Sequence, residues 1–399
     1  MSSLRDRLRK AKAGQATVSE TLVDTYGLKE NPFPPSSQTS DNPHFPTDAN
    51  KQIEDRIEGF VRDQRSQVIL VEGTQGVGKT SLLRHYEKEL KEIGDDFDGK
   101  YVVRYLADPE ASFDGTLRRL MQEFDAPKIL ELCFQLDETA LEEVRNNELR
   151  IGLATIHQYI QDHDYDDLTK VDEDSTLRAL SESFSEWLQG LRVLNKHRDL
   201  GIQFRLDTLE SRTLAFRDLV FLSSKVGMLS GFFLLIDELE KQDGILSPTQ
   251  VVRYLSAMRA IIDALPKHLF MLIAVTPDAL RRYSVALPAL RSRLQDKVEL
   301  YPLTDRQQAI DLAQFYIAEA RKAAGTLKTD TEYRELLSMR EIGEKFEELY
   351  EQVKTQSDRG VRQRFFLHQL HLLAEARIQD TARQIEAAST VKSVRKKKP

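Results

Sequence analysis

The chain has 399 residues, of which 40% are hydrophobic and 30% are charged, and its formal net charge is −7. This length exceeds one typical domain, so we expect a large core domain with a smaller second domain and extensions. The acidic balance excludes a protein that coats DNA by charge alone, so any nucleic-acid contact must be local. Cys133 is the only cysteine, which excludes an internal disulfide and a cysteine-based metal site.

The longest apolar runs, at residues 232–236 and 269–275, are far too short to cross a bilayer. The N-terminal segment carries basic residues without the apolar core of a secretory signal. We therefore expect a cytoplasmic protein with no membrane partner.

The first segment, residues 1–48, is rich in Ser, Thr, Pro, Asn and Asp from about residue 13 onward. Such a composition cannot continue a helix or a central strand, so we expect an extended or disordered lead-in. Apolar residues at helical spacing then predict a helix over 49–65, which opens a main domain spanning 49–303.

Five short apolar runs in the main domain predict buried strands. Most of them are nearly continuous in apolar residues, as a sheet covered by helices on both faces requires. Helical patterns occupy the chain between them, so the predicted fold class is α/β with a mainly parallel five-stranded sheet. The runs lie at 67–73, 101–108, 231–238, 269–276 and 296–303.

A glycine-rich segment directly after the first run satisfies the pattern G-x-x-x-x-G-K-[ST]. Its glycines let backbone N–H groups point into one concavity, and the start of the following helix favours phosphate oxygens. Lys79 is expected to reach the β- and γ-phosphates, and the Thr80 hydroxyl is expected on Mg²⁺. The nucleotide-binding candidates are Gly73, Thr74, Gln75, Gly76, Val77, Gly78, Lys79 and Thr80, followed by Ser81.

Residues 109–229, between the second and third runs, show helical patterns and no strong strand signal. We interpret this region as a largely helical insertion. Its acidic stretch at 163–175 is typical of a solvated loop.

The third apolar run ends in two adjacent carboxylates, Asp237 and Glu238. In a P-loop fold, the strand beside the phosphate loop delivers its last aspartate to magnesium, and a following glutamate can deprotonate the attacking water. Asp237 is therefore a metal-ligand candidate and Glu238 a general-base candidate.

A strand of this kind, combined with the phosphate loop, resembles the AAA+ ATPase superfamily over roughly residues 45–375. The resemblance implies ATP and Mg²⁺ as ligands, ATP hydrolysis, and an ATP-dependent homo-oligomer. It also implies that Thr276, at the end of the next run, helps to sense the γ-phosphate. An arginine before the last core strand, Arg291 or Arg293, is implied to reach the neighbouring subunit's nucleotide, because the permanently charged guanidinium suits phosphate oxygens.

The chain from 304 to 386 is wholly helical in pattern, and the resemblance implies an all-helical C-terminal lid domain. The segment 357–367 is similar to the family's helix start that supplies an arginine to ATP of the same chain, although the family's proline is missing. The register therefore stays open between Arg362 and Arg364. Residues 387–399 are predicted to be a basic disordered tail.

Within the superfamily, the chain resembles the origin-recognition and initiator-related group, which includes bacterial ATPases of transposition and phage defence. Two segments carry this resemblance: NPFP at 31–34 and LLIDELEK at 234–241. It implies DNA as a candidate partner, together with protein partners of a multi-component system. A signalling NTPase that regulates a protein complex without nucleic acid is the alternative, and a small-molecule kinase is disfavoured by the large insertion.

Overall fold

The structure is a computed structural model that describes residues 18–35, 42–96, 100–107, 112–241, 247–286, 294, 296–325, 333–354 and 360–395. The chain divides into two compact units, each with its own hydrophobic core. The sheet unit comprises Asp48–Gly73 and Leu83–Glu299. The terminal unit comprises Met1–Thr47, Thr74–Leu82 and Leu300–Pro399.

The sheet unit contains a five-stranded sheet in which every pairing is parallel. This confirms the predicted α/β class, and the strands fall on the five predicted runs. Every residue of the third and fourth strands is buried, as their continuous apolar sequences predict. The strands are β1 Gln67–Glu72, β2 Tyr101–Leu106, β3 Gly231–Ile236, β4 Leu269–Val275 and β5 Asp296–Glu299.

The order of the strands is β2-β3-β4-β1-β5, which corrects one expectation. We expected the strand that carries Asp237 to lie beside the strand that leads into the phosphate loop. Instead β4 lies between them, with Phe270 paired to Gln67 of β1 and to Phe233 of β3. β4 is the longest of the five strands and is wholly apolar, which suits the central position.

The last strand is shorter than the run 296–303 predicts, because β5 ends at Glu299. Pro302 follows two residues after Leu300, and proline has no N–H with which to continue a strand ladder. Leu303 instead forms an isolated antiparallel bridge with Val361.

Helices fill the chain between and after the strands. The helices up to β3 are α1 Asp48–Asp63, α2 Lys79–Asp96, α3 Phe113–Met121, α4 Ala126–Gln135, α5 Glu138–Glu142, α6 Asn147–Asp162, α7 Leu168–Glu173, α8 Ser175–Leu188, α9 Asn195–Arg198 and α10 Leu209–Lys225. Those after β3 are α11 Pro248–Ala264, α12 Pro277–Ala286, α13 Arg306–Ala324, α14 Met339–Lys354 and α15 Gln363–Arg395. None of the described helices is both long enough and apolar enough to cross a membrane.

The described part of residues 109–229 is mainly helical, and its helices share one apolar core with the sheet. Trp187 and Cys133 are fully buried in this core. Burial raises the pKa of the Cys133 thiol well above its usual range. Cys133 is therefore an inert packing residue.

The N-terminal lead-in differs from the extended segment that we expected. Residues 18–21 are helical and continue into a π-helical turn at Leu22–Tyr26, which ends at Gly27 with a positive φ of 66°. Tyr26 is fully buried, and its hydroxyl lies 2.8 Å from the Thr381 hydroxyl of α15. Leu22, Leu28 and Phe33 belong to the same apolar core as α13 and α15. These four apolar side chains pack the lead-in into the core of the terminal unit, although most residues of the lead-in are polar.

The C-terminal segment also differs from expectation, because α15 continues to Arg395 through most of the predicted disordered tail. The Ala-Ala pair at 387–388 favours helix, and extending an existing helix avoids the cost of nucleation. Residues 396–399 lie outside the described residues.

A test of the packing in the terminal unit uses Gly360, which has φ +148°. A Cβ atom there would lie 2.6 Å from the backbone oxygen of Leu303. Gly360→Ala should lower the free energy of unfolding by about 1–3 kcal/mol, because the backbone must shift at the Leu303–Val361 bridge. Gly325→Ala is the matched control, since Gly325 has φ +73° but nothing within 4 Å of an added Cβ. Chemical denaturation should show the smaller loss for the control, and equal losses would contradict the packing argument.

Candidate functional site

The phosphate-loop motif begins at the carboxyl edge of the sheet. Glu72, the last residue of β1, pairs with Val275 of β4, and the Gly73 N–H donates to the Val275 oxygen at 3.2 Å. Because all five strands are parallel, Asp237 after β3 and Thr276 after β4 follow strand ends at this same edge. The sheet unit thus brings the ends of three motif-bearing strands to one edge, where α/β proteins bind their ligands.

The loop itself has the backbone geometry that its glycines predict. Gly76 and Gly78 have φ values of +84° and +105°, which side chains rarely adopt. The helix α2 starts at Lys79, directly after this loop. A glycine turn that leads into a helix start is suited to hold an anion. Thr74 and Gln75 are exposed, Gly76, Gly78, Thr80 and Ser81 are half-buried, and Val77 is buried.

Lys79 is unusual for a lysine, because only 7% of the residue is exposed. Its Nζ donates a hydrogen bond to the Thr74 oxygen at 3.3 Å, so the side chain folds back over the loop. Burying an ammonium group costs free energy unless acceptors surround it. Lys79 occupies the position, at the start of the helix after the loop, from which the lysine of this motif contacts phosphate.

The start of α15 contacts the same loop within the terminal unit. The Arg364 N–H donates to the Gly76 oxygen at 3.0 Å. A Cβ atom built on Gly76 would lie 3.5 Å from the Arg364 Cβ and 3.8 Å from the Arg362 Cβ. Both arginine residues are exposed. The structure therefore places both candidate arginines beside the loop.

Gln363, between these arginines, is a neighbour of the loop that sequence reasoning missed. Its Oε1 would lie 3.0 Å from a Cβ atom built on Gly78. A side chain at Gly78 would be strained by the positive φ, and the Gln363 side chain would have to shift slightly to make room for it. Nothing in the local sequence marks a glutamine for this position; only its place between two candidate arginines could have drawn attention to it.

Asp237 is 2% exposed and is held by hydrogen bonds to both carboxylate oxygens. The Tyr105 hydroxyl donates to Oδ2 at 2.9 Å, and the Glu238 N–H donates to Oδ1 at 2.8 Å. Burial, and then the negative charge of Asp237, raise the pKa of Tyr105 well above its usual range. The tyrosine therefore stays a neutral donor. The sequence analysis missed Tyr105, because nothing in the run 101–108 distinguishes it from the other strand residues.

Glu238 has a backbone conformation that is uncommon outside glycine, with φ +46°. Its half-buried carboxylate forms an ion pair with Lys241, which ends the turn Leu239–Lys241. Residues held in this region cost about 1–3 kcal/mol of strain and are concentrated at functional sites. This strained position directly after β3 supports Glu238 as a functional residue.

The metal candidates supply two kinds of oxygen donor. The hydroxyl of Thr80 and the carboxylate of Asp237 are both hard ligands, which suit Mg²⁺. Within the described ranges, no three His, Cys, Asp or Glu side chains are grouped as a metal site. Magnesium sites on nucleotides need few protein carboxylates, because the phosphates and water supply most of the ligands.

The candidate trans-acting arginines, Arg291 and Arg293, lie outside the described residues, so their placement stays a prediction. The basic residues of the N-terminal segment, at 5–12, also lie outside the described residues.

No protein-family model matches this chain, and a search of curated proteins gives no match to it.

Proposed function

We propose that this chain is an ATP-binding and ATP-hydrolysing P-loop protein of the AAA+ type, which acts as an oligomeric switch or motor. The observation that carries the proposal is Lys79, a buried lysine at the first residue of α2, directly after a loop with two positive-φ glycines. The strand before the loop and the helix after it are the context in which this motif binds phosphate.

The loop residues have distinct roles in this proposal. Backbone N–H groups of 74–81 hold phosphate oxygens, and the Lys79 ammonium contacts the β- and γ-phosphates. The Thr80 hydroxyl and the Asp237 carboxylate hold Mg²⁺. Bound Mg²⁺ neutralises charge on the phosphate oxygens.

The chemical step is assigned to Glu238, which orients a water molecule and takes its proton as the water oxygen attacks the γ-phosphorus. The bond between the γ-phosphorus and the oxygen bridging to the β-phosphate breaks, and ADP leaves. The ion pair with Lys241 engages one oxygen of this carboxylate, Oε2. Thr276 contributes its hydroxyl near the γ-phosphate, in line with its position after β4.

Arg362 and Arg364 are proposed to respond to the nucleotide from the same chain. The hydrogen bond from the Arg364 N–H to Gly76 supports this role, because a change in the loop is transmitted directly to the start of α15. The helices within 304–386 would then act as a lid.

The biological setting that we propose is a DNA-associated process such as transposition, replication initiation or phage defence, carried out in the cytoplasm with protein partners. The alternative is a scaffold NTPase that regulates a protein complex without nucleic acid. A DNA-binding titration with and without ATP, repeated at several salt concentrations, separates the two, because contacts to DNA phosphates weaken steeply with salt.

The direct test of the phosphate loop is Lys79→Ala. We expect ATP affinity to fall about 100-fold, because the charged hydrogen bonds to two phosphates are lost. Lys88→Ala is the control, since Lys88 is exposed on the same helix. Equilibrium titration with a fluorescent ATP analogue, accompanied by thermal melting to show an intact fold, measures the effect. Equal affinities in a folded Lys79→Ala protein would refute the assignment.

A further inference from the structure

Tyr105 occupies the carboxyl end of β2, where it pairs with Leu235 of β3, two residues before Asp237. Its hydroxyl reaches Asp237 Oδ2 at 2.9 Å, while the backbone of Glu238 occupies Oδ1 at 2.8 Å. With a donor at each oxygen, the orientation of the buried carboxylate is fixed. The backbone N–H of Asp237 also donates to the Leu106 oxygen at 2.9 Å, which ties the aspartate to β2 a second time.

The ring of Tyr105 is itself held by α2. The Arg84 guanidinium lies 3.8 Å from the centre of the Tyr105 ring, within the range of a cation–π contact. The Arg84 Nη1 donates to Glu87 Oε2 at 2.8 Å, and Lys91 Nζ donates to Glu87 Oε1 at 2.8 Å. A chain of contacts therefore runs from one face of α2 through the tyrosine ring to Asp237.

The nature of these contacts matters for a carboxylate that must hold a cation. A neutral hydroxyl fixes the carboxylate without cancelling its negative charge, whereas a lysine or arginine ion pair would compete with the metal. The Arg84 guanidinium lies over the face of the Tyr105 ring. The Tyr105 hydroxyl thus orients Asp237 through a neutral hydrogen bond.

We propose that Tyr105 is a positioning residue that fixes Asp237 for Mg²⁺ coordination, with Arg84 holding the tyrosine ring in place. This inference rests on the proposed nucleotide function. Groups that orient a metal ligand typically change metal affinity by about 10–100-fold when they are removed. The contribution of Tyr105 should therefore appear in the Mg²⁺ dependence of nucleotide binding.

The experiment compares Tyr105→Phe with Tyr101→Phe, which makes the same change in the same strand at its opposite end. A fluorescent ATP analogue is titrated with Mg²⁺ on each full-length protein, and binding is repeated in excess chelator. Tyr105→Phe should raise the half-saturating Mg²⁺ concentration about tenfold and leave binding in chelator unchanged. Tyr101→Phe should match the unaltered protein in both measurements.

A coupling measurement shows whether Tyr105 acts through Asp237. Adding Tyr105→Phe to an Asp237→Ala protein should produce no further change in Mg²⁺ dependence, because the group that it positions is gone. Arg84→Met, at an exposed residue of α2, should raise the half-saturating Mg²⁺ concentration by a smaller factor. This variant replaces Tyr105→Phe in the test if Tyr105→Phe does not fold.

Two results overturn this inference while the proposed function stands. These are a folded Tyr105→Phe protein with the Mg²⁺ dependence of the unaltered protein, and a shift of equal size in Tyr101→Phe. If Tyr105→Phe does not fold, unchanged Mg²⁺ dependence in Arg84→Met overturns it. An unaltered protein that binds no nucleotide overturns the proposed function and this inference together.

Discussion

Glu238→Gln is expected to leave ATP binding intact and to slow phosphate release about 10³-fold. The amide can still hold a water molecule by hydrogen bonding, but it cannot take the proton that the water loses. The variant can be compared directly with the unaltered protein, because glutamine has nearly the same shape as glutamate and should tolerate the φ of +46° equally well. Phosphate release under saturating ATP measures the turnover, and a binding titration measures the affinity.

Glu240→Gln is the matched control, because Glu240 is a half-buried carboxylate on the turn that follows Glu238. Its turnover should equal that of the unaltered protein. If Glu238→Gln releases phosphate at the parental rate, the general-base assignment is wrong, whatever the affinity.

Replacing both Arg291 and Arg293 by alanine should lower the rate of ATP hydrolysis about 10³-fold and leave ATP affinity unchanged. A trans-acting arginine stabilises the charge of the transition state and lies outside the phosphate loop of its own chain. The rate per chain of the unaltered protein should then rise with protein concentration, since each site is complete only at an interface. Arg281→Ala is the control, because Arg281 is exposed on α12 and precedes this segment.

A mixing experiment separates a trans-acting arginine from a structural one. The double arginine variant mixed with a Lys79→Ala chain should recover some turnover, because a mixed interface can pair an intact loop with an intact arginine. Parental turnover in the double variant would refute the assignment. A rate per chain that does not depend on concentration, in a protein that stays monomeric with ATP, would refute it equally.

Local sequence was sufficient to predict the strands and the backbone conformation of the glycine-rich loop, because each is determined by neighbouring residues. The apolar run 269–276 gave a buried strand, and the glycines at 76 and 78 gave the positive φ values of the loop. The order of the strands could not be predicted from local sequence, because β4 pairs with β1 and β3, which are far from one another in the chain.

The same limit explains the neighbours of the site that were missed. Tyr105 and Asp237 are 132 residues apart, and no spacing rule connects them. Gln363 contacts the loop only because the terminal unit brings the start of α15 to Gly78. The lead-in was predicted as extended because its polar composition outweighed the few apolar residues, such as Tyr26 and Phe33, that pack in the core.

Equilibrium binding of a slowly hydrolysed ATP analogue to the unaltered protein tests the central claim most directly. Calorimetric titration in the presence of Mg²⁺ should show saturable binding, and the melting temperature should rise with analogue concentration, because a ligand that binds only the folded state stabilises it. Adding chelator should weaken the binding. A folded protein that releases no binding heat and shows no change in melting temperature at millimolar analogue would contradict the account.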